Sequence, residues 1–325
     1  MFKKIQYLFI LLICIIGFIS WGPVANSAIR PVINDIVPDV IVSAVGLVEG
    51  GASSFDFQAK TTTTDEDFVL PLESGGTYDF TVDWGDGSTN DITTYNDVNI
   101  THTYASAGTH DVTITGTITG WKFNNSASAS KIYEISSWGN FALVPASGST
   151  FYGCSNMTWT GSAVGGFDTS LVTNMSLMFH GCTAFNKSVS NFDTALVTNM
   201  SLMFENCTAF NQSVSNFNTA KVTSMHRMFL GCPAFDQSVS NFNTAKVTNM
   251  AAMFYDCTAF NQSVSNFDTA KVTNMAFMFY NCTAFNQSVS NFDTALVTNM
   301  SNMFRDCTAF DQSVSNFNTA KVTSM

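Results

Sequence analysis

"MSLMFHGCTAF" (residues 175–185) returns as "MSLMFENCTAF" (200–210), "MHRMFLGCPAF" (225–235), "MAAMFYDCTAF" (250–260), "MAFMFYNCTAF" (275–285) and "MSNMFRDCTAF" (300–310), each time 25 residues on. Two Met, a Phe and a Cys stay fixed while the residues between them change. Their spacing of i, i+3, i+4 and i+7 predicts one buried stripe on an α-helix of about two turns. The expected core is therefore Met175, Met178, Phe179 and Cys182, then Met200, Met203, Phe204 and Cys207, and their equivalents in later units. The changing pairs, such as Ser176-Leu177 and His180-Gly181, fall where a helix points outward.

The rest of each unit reads as a strand and a turn. Phe185 and Val189 are expected to alternate inward, with Asn186, Ser188 and Ser190 outward. "FDTA" or "FNTA" bends the chain onward, and Thr173 is placed to cap the following helix. A unit this short cannot bury its own apolar face, so stacking is needed to make one continuous Phe, Met, Cys and Val core. One strand and one helix in 25 residues falls in the leucine-rich-repeat range.

The stretch "FDTSLVTNMSLMFHGCTAFNKSVSN" from Phe167 resembles the BspA-type leucine-rich-repeat surface proteins, and the resemblance runs from Phe167 to Met325. Phe192, Phe217, Phe242, Phe267, Phe292 and Phe317 stand where many members carry Trp. The resemblance implies an α/β solenoid of 25-residue units in a secreted or cell-surface protein associated with adhesion and partner binding, and implies no catalysis.

Composition agrees with a stacked core of unusual make-up. The chain has 325 residues, with 30 Phe and 15 Met against only 11% charged residues, so polarity comes mainly from Ser, Thr and Asn. Charge is uneven: 4 Lys and Arg stand against 15 Asp and Glu between Ile29 and Gly166, but 7 against 9 from Phe167 onward. An acidic front and near-neutral repeats offer no basic footprint for nucleic acid.

The first residues read as an export signal. Lys3 and Lys4 precede the apolar run "IQYLFILLICIIGFI", and Ala25 and Ser27 supply the small residues of a cleavage site, giving a signal peptide over 1–27. The apolar run is shorter than the roughly 20 residues that span a bilayer. Membrane attachment is expected only through the signal or through an anchor beyond the sequence. Met325 falls at the first core position of a new unit, so the sequence is expected to be a fragment truncated at its C-terminus.

Residues 28–125 alternate in short β-type runs broken by Gly, Asn and Asp. In "YDFTVDWGDGS", Phe80 and Val82 alternate inward and "GDG" supplies a tight turn. Trp84, Gly85, Asp86 and Gly87, followed by His102, Tyr104, Gly108 and Val112, resemble the W-G-D-G turn and later strand of polycystic-kidney-disease-type (PKD) domains. That resemblance implies an all-β immunoglobulin-like sandwich without chemistry of its own. Residues 126–166 are expected to be a linker and N-terminal repeat cap, since "FYGCSNMTWTG" echoes the repeat with Cys154 standing 28 residues before Cys182. The expected fold class is thus multidomain: a PKD-like sandwich followed by an α/β leucine-rich-repeat solenoid.

No constellation points to an enzyme. The four His are scattered, and the single carboxylates of the repeats do not pair as glycoside hydrolysis requires. The Cys ladder runs along a line rather than converging on a metal, and neighbouring thiols are read either as buried apolar groups or as adjacent-repeat disulfides. No cofactor or metal is expected. The candidate contacts are the exposed residues that differ between units, Arg227, Tyr255, Phe277, Tyr280 and Arg305, because aromatics and Arg are enriched among energetic anchors. Their partner is expected to be an extracellular protein or polysaccharide. Alternatives are a passive spacer, a surface for ice or crystalline polysaccharide built on the Ser188, Ser213, Ser238, Ser263 and Ser288 row, and a polysaccharide-degrading solenoid.

Overall fold

The computed structural model describes residues 54–139, 141–159 and 168–325. The expected signal peptide, the start of the expected sandwich, and residues 160–167 with the first repeat position Phe167 lie outside the described residues.

The front half is built on strands β1 (Ser54–Thr61), β2 (Glu66–Val69), β3 (Tyr78–Asp83), β4 (Thr89–Ile92), β5 (Thr101–Tyr104), β6 (Gly108–Ile118), β7 (Ile132–Ser137) and β8 (Thr158–Trp159). Six of them form one sheet in the order β4-β3-β6-β1-β7-β8, and β2 pairs with β5 in a second, two-stranded sheet. Alternation sets the inward faces: Phe55, Phe57 and Ala59 of β1 and Phe80 and Val82 of β3 are buried, with polar residues between them. Phe57 and Phe68 meet at 5.7 Å, joining the two sheets through the core. β7, from the segment expected to be a linker, pairs antiparallel with β1, and β8 then adds in parallel.

The Trp84–Gly87 turn is held by its own residues. Trp84 is fully buried, its Nε1–H donates to Asn90 at 2.9 Å, and its carbonyl accepts the Tyr104 hydroxyl at 2.9 Å. Gly85 has φ +77°, and a Cβ there would sit 2.5 Å from the Asp111 carbonyl oxygen, so only Gly fits. Asp83 and Asp86 accept the backbone N–H groups of Gly85 and Ser88, and His102 donates to Asp86 at 2.7 Å. These carboxylates are occupied as turn caps.

The repeats are not helical, and this overturns the expected fold class. Among the described residues there is no α-helix and nearly everything is β or turn, so neither an α/β leucine-rich-repeat solenoid nor its pairing with an immunoglobulin-like sandwich is what they form. The segment expected to be a helix is a run of overlapping turns. In the unit from Met175, the N–H groups of Met178, His180 and Cys182 bond three residues back, to Met175, Leu177 and Phe179. The alternate N–H groups of Met175, Leu177, Phe179 and Gly181 point out of the turn and bond the next unit's Asn199, Ser201, Met203 and Glu205 at 2.8–3.1 Å. An α-helix directs every N–H along its own axis, so it could not make this ladder.

The backbone angles explain how the chain does so. The third residue of each run has positive φ: Leu177, Leu202, Arg227, Ala252, Phe277 and Asn302, at +53° to +60°. The seventh does too: Gly181, Asn206, Gly231, Asp256, Asn281 and Asp306. A positive φ at the third position of a four-residue turn is what a type II turn requires.

Stacking then proceeds coil on coil. Isolated parallel bridges link Asn174, Asn199, Ser224, Asn249, Asn274, Asn299 and Ser324 in sequence. The Met, Phe and Cys positions predicted to face inward do so, with Met175, Met178, Phe179, Cys182, Met200, Met203, Phe204 and Cys207 all fully buried. Phe179 stacks on Phe204 and Phe204 on Phe229, each at 5.6 Å and 5° between planes, and Phe185 stacks on Phe210 at 5.8 Å. The expected strand after Phe185 has the predicted inward and outward faces, but side-chain amides replace backbone pairing there. Asn186 Oδ1 accepts from the Asn211 N–H at 3.0 Å and the Gln212 amide at 2.9 Å one coil later. Thr173 is not a helix cap either: it and Thr198 donate N–H and hydroxyl to the carbonyl one coil back.

The segment around Phe151 is the first coil of the stack. Ser149 and Gly153 take the two positive-φ positions, Phe151 donates to Met178, and its ring stacks on Phe179 at 5.6 Å.

Candidate functional site

Because each coil repeats the same turns, equivalent side chains stand above one another in columns. The core columns are fixed by packing, whereas two columns of the turn run, mostly exposed or half-exposed with Glu205 and Ala252 buried, differ from coil to coil. One is the positive-φ third position, Leu177, Leu202, Arg227, Ala252, Phe277 and Asn302; the other is the sixth, His180, Glu205, Leu230, Tyr255, Tyr280 and Arg305. The five candidate contacts predicted from sequence all fall in these two columns. Together the columns form a ridge along consecutive coils.

The structure brings the aromatic candidates together. Tyr255 and Tyr280 stack at 4.5 Å and 7°, and Phe277 lies 6.2 Å from Tyr255 and 6.0 Å from Tyr280. Arg305 sits over the Tyr280 ring at 5.7 Å, within cation–π range. Beside them lies an open groove of about 590 Å³ lined by Arg227, Tyr255 and Phe277 with a floor of Ala251, Ala252 and Ala276. Small residues in those units leave space between the coil surface and the aromatic wall. Phe277 is 36% exposed, while every other Phe among the described residues is buried or half-buried.

The other end of the ridge is ionic. Arg227 Nη2 lies 3.2 Å from Glu205 Oε1, and the Glu205 side chain is only 5% exposed while that of Arg227 is 40% exposed. His180 Nδ1 stands 3.8 Å from Glu205 Oε2, and both atoms are buried without a hydrogen-bond partner. The Tyr152 ring packs edge-on against His180 at 4.5 Å. Burial pushes the Glu205 carboxyl above its usual range, opposed by the Arg227 guanidinium. Burial pushes His180 down, and Arg227 adds to that. His226 is also pushed down by burial, against a contact of 3.0 Å between its Nδ1 and the Ala251 carbonyl.

Sequence reading missed Glu205, His180, His226 and Tyr152. The available signal was Glu205 itself, the single carboxylate in a column otherwise occupied by His, Leu, Tyr, Tyr and Arg.

Elsewhere the residues that carry chemistry are occupied in structure. Cys182, Cys207, Cys232, Cys257, Cys282 and Cys307 are free thiols, and burial raises the pKa of each. The Ser188 hydroxyl donates to Ser190 at 3.0 Å, as the equivalent pairs do in later coils. Among the described residues no three His, Cys, Asp or Glu converge to hold a metal ion.

A family model described as "Mycoplasma protein of unknown function, DUF285" matches residues 147–267 and 234–325, which together span more than half of the chain. No curated protein sequence and no solved structure matches it.

Proposed function

The chain belongs to the family described as Mycoplasma protein of unknown function, DUF285, and on that premise we propose that it is an exported cell-surface binding protein that acts in adhesion without catalysis. Its partner is an extracellular protein or polysaccharide, held on the ridge formed by Arg227, Tyr255, Phe277, Tyr280 and Arg305. The observation that carries this reading is that Arg227, Tyr255 and Phe277 line one open groove, with Tyr280 stacked on Tyr255 and Arg305 over Tyr280, in columns where packing does not dictate the residue. Aromatic rings fixed by their neighbours and an arginine over a ring face supply contact area at low entropic cost. The basic start and apolar run at residues 3–19 support export, and the resemblance of the repeat sequence to BspA-type surface proteins points to adhesion.

The test is binding of the purified chain to arrayed extracellular-matrix proteins and polysaccharides, beside a variant carrying Arg227→Ala, Tyr255→Ser, Phe277→Ser, Tyr280→Ser and Arg305→Ala. Loss of a hit in the folded variant supports the ridge. A hit that the variant keeps, or no hit for either, removes the ridge assignment and leaves the repeat stack as a spacer.

A further inference from the structure

A second feature of the coils is electrostatic and lies outside the ridge columns. In the segment leading into each turn run, a fully buried Val (Val222, Val247 and Val272 in the middle coils) is flanked by two exposed positions. Alternation sends both flanking side chains outward. The residue after the Val is Thr in every coil. The residue before it is Leu171, Leu196, Lys221, Lys246, Lys271, Leu296 and Lys321 in order. Four of the seven Lys and Arg in the repeat half thus stand in one column, three of them in consecutive coils.

The backbone fixes how close they are. Thr223, Thr248 and Thr273 each donate N–H to the Thr of the preceding coil at 2.9 Å, so the lysines two residues earlier are separated by one hydrogen-bonded chain spacing of roughly 5 Å. Three ammonium groups in such a row repel one another. Among the described residues, no carboxylate lies within ion-pair distance of Lys221, Lys246 or Lys271. The position four residues before the Val is Asp in the coils of Leu171, Leu196 and Leu296, but Asn218 and Asn243 in those of Lys221 and Lys246; the Lys271 coil keeps Asp268, which makes no ion pair with Lys271. In a chain of net charge −11 this strip concentrates uncompensated positive charge. Leu at the same position in other coils means that packing does not require the charge.

We propose that the Lys221, Lys246 and Lys271 column, with the Thr223, Thr248 and Thr273 column beside it, binds a linear anionic polysaccharide of the polyuronate class lying along the stack. One ammonium per coil meets a carboxylate carried at regular intervals on the polymer. Each Thr hydroxyl donates its proton to the carbonyl one coil back, at 3.1 Å for Thr223, 3.3 Å for Thr248 and 3.2 Å for Thr273. Its oxygen therefore faces the polymer as an acceptor for sugar hydroxyls. A row of acceptors beside a row of cations suits a polymer with both hydroxyls and carboxylates, and a polyphosphate ester backbone would leave the acceptors unused.

The experiment uses the purified chain and polygalacturonate, with Lys221→Leu/Lys246→Leu/Lys271→Leu as the variant. Leu is already the residue of this column at positions 196 and 296, so the variant keeps the fold, and thermal unfolding checks that it does. The expected result is binding of polygalacturonate by the parent chain, weakening as salt rises, with a loss of about tenfold or more in the variant. Fully methyl-esterified pectin, which lacks the carboxylates, fails to bind. The five-site ridge variant retains polygalacturonate binding, which separates this strip from the ridge. Absence of binding by the parent, equal binding by the lysine variant, equal binding of the esterified polymer, or stronger binding of double-stranded DNA overturns the proposal.

Discussion

Cys207 Sγ lies 2.9 Å from the carbonyl oxygen of Phe179, one coil earlier, and both residues are fully buried. The thiol donates to a carbonyl that already accepts the Cys182 N–H at 3.0 Å. The same contact recurs from Cys182 to Phe151, Cys232 to Phe204, Cys257 to Phe229, Cys282 to Phe254 and Cys307 to Phe279. Each sulfur is therefore engaged with backbone rather than with the neighbouring sulfur. The column works as a row of small apolar groups that also tie coil to coil.

Cys182, Cys207, Cys232, Cys257, Cys282 and Cys307 should accordingly resist alkylation in the native protein and form no disulfide with one another. Cys207→Ala should cost about 1–2 kcal/mol, from lost volume and a weak hydrogen bond. Denaturant unfolding of the variant measures that loss, and rapid labelling of native Cys207 would contradict the packing.

Asn206 has φ +60°, where a residue with a Cβ other than Asn or Asp is strained. Asn206→Ala should destabilise by about 1 kcal/mol, while Asn206→Gly should stay within a few tenths of a kcal/mol of the parent. A helix would reverse the order, because Ala is the best helix former and Gly among the worst. The pair of variants therefore reads the backbone through stability alone.

Asp86 carries a pH signature. Burial raises its carboxyl, but hydrogen bonds from Ser88 and His102 outweigh that and hold it at about 2, below its ordinary 3.8. A carboxyl depressed in the folded state stabilises above the unfolded value, and that contribution is lost as pH falls through the folded one. Asp86→Asn should thus cost about 1 kcal/mol above pH 4, allowing for solvent screening. The difference should close near pH 2. Chemical denaturation across that range checks it, and a constant difference would remove the charge from the explanation.

The inward-facing residues of the stack were legible in the sequence, and the secondary structure that carries them was not. Burial at i, i+3, i+4 and i+7 arises whenever a chain returns to one face every three or four residues, in overlapping turns as in a helix. Side-chain spacing does not report which way the peptide planes face. The decisive signal lay in the seventh position, where Gly181, Asn206, Gly231, Asp256, Asn281 and Asp306 are all residues that tolerate positive φ. A position that changes from unit to unit but only among Gly, Asn and Asp marks a turn.

In the front half, the alternation of Phe80 and Val82 was readable, whereas the pairing of β7 with β1 was not. Ile132–Ser137 alternates imperfectly and finds its place through long-range register with shifts around Phe57. The ridge candidates were legible as variable residues. Glu205 stood out as the single carboxylate of its column, but its burial was not legible, because nothing local in the sequence distinguishes a buried carboxylate from a solvated one.

The ridge depends on cross-coil hydrogen bonds that set successive variable residues side by side. The most direct measurement is the scalar coupling transmitted through the hydrogen bond of the Phe204 N–H in isotope-labelled protein. The structure places that N–H 2.9 Å from the Met228 carbonyl oxygen, so the coupling should reach the Met228 carbonyl carbon. Coupling to the Met200 carbonyl, four residues back in a helix, would contradict the turn-built stack and with it the ridge.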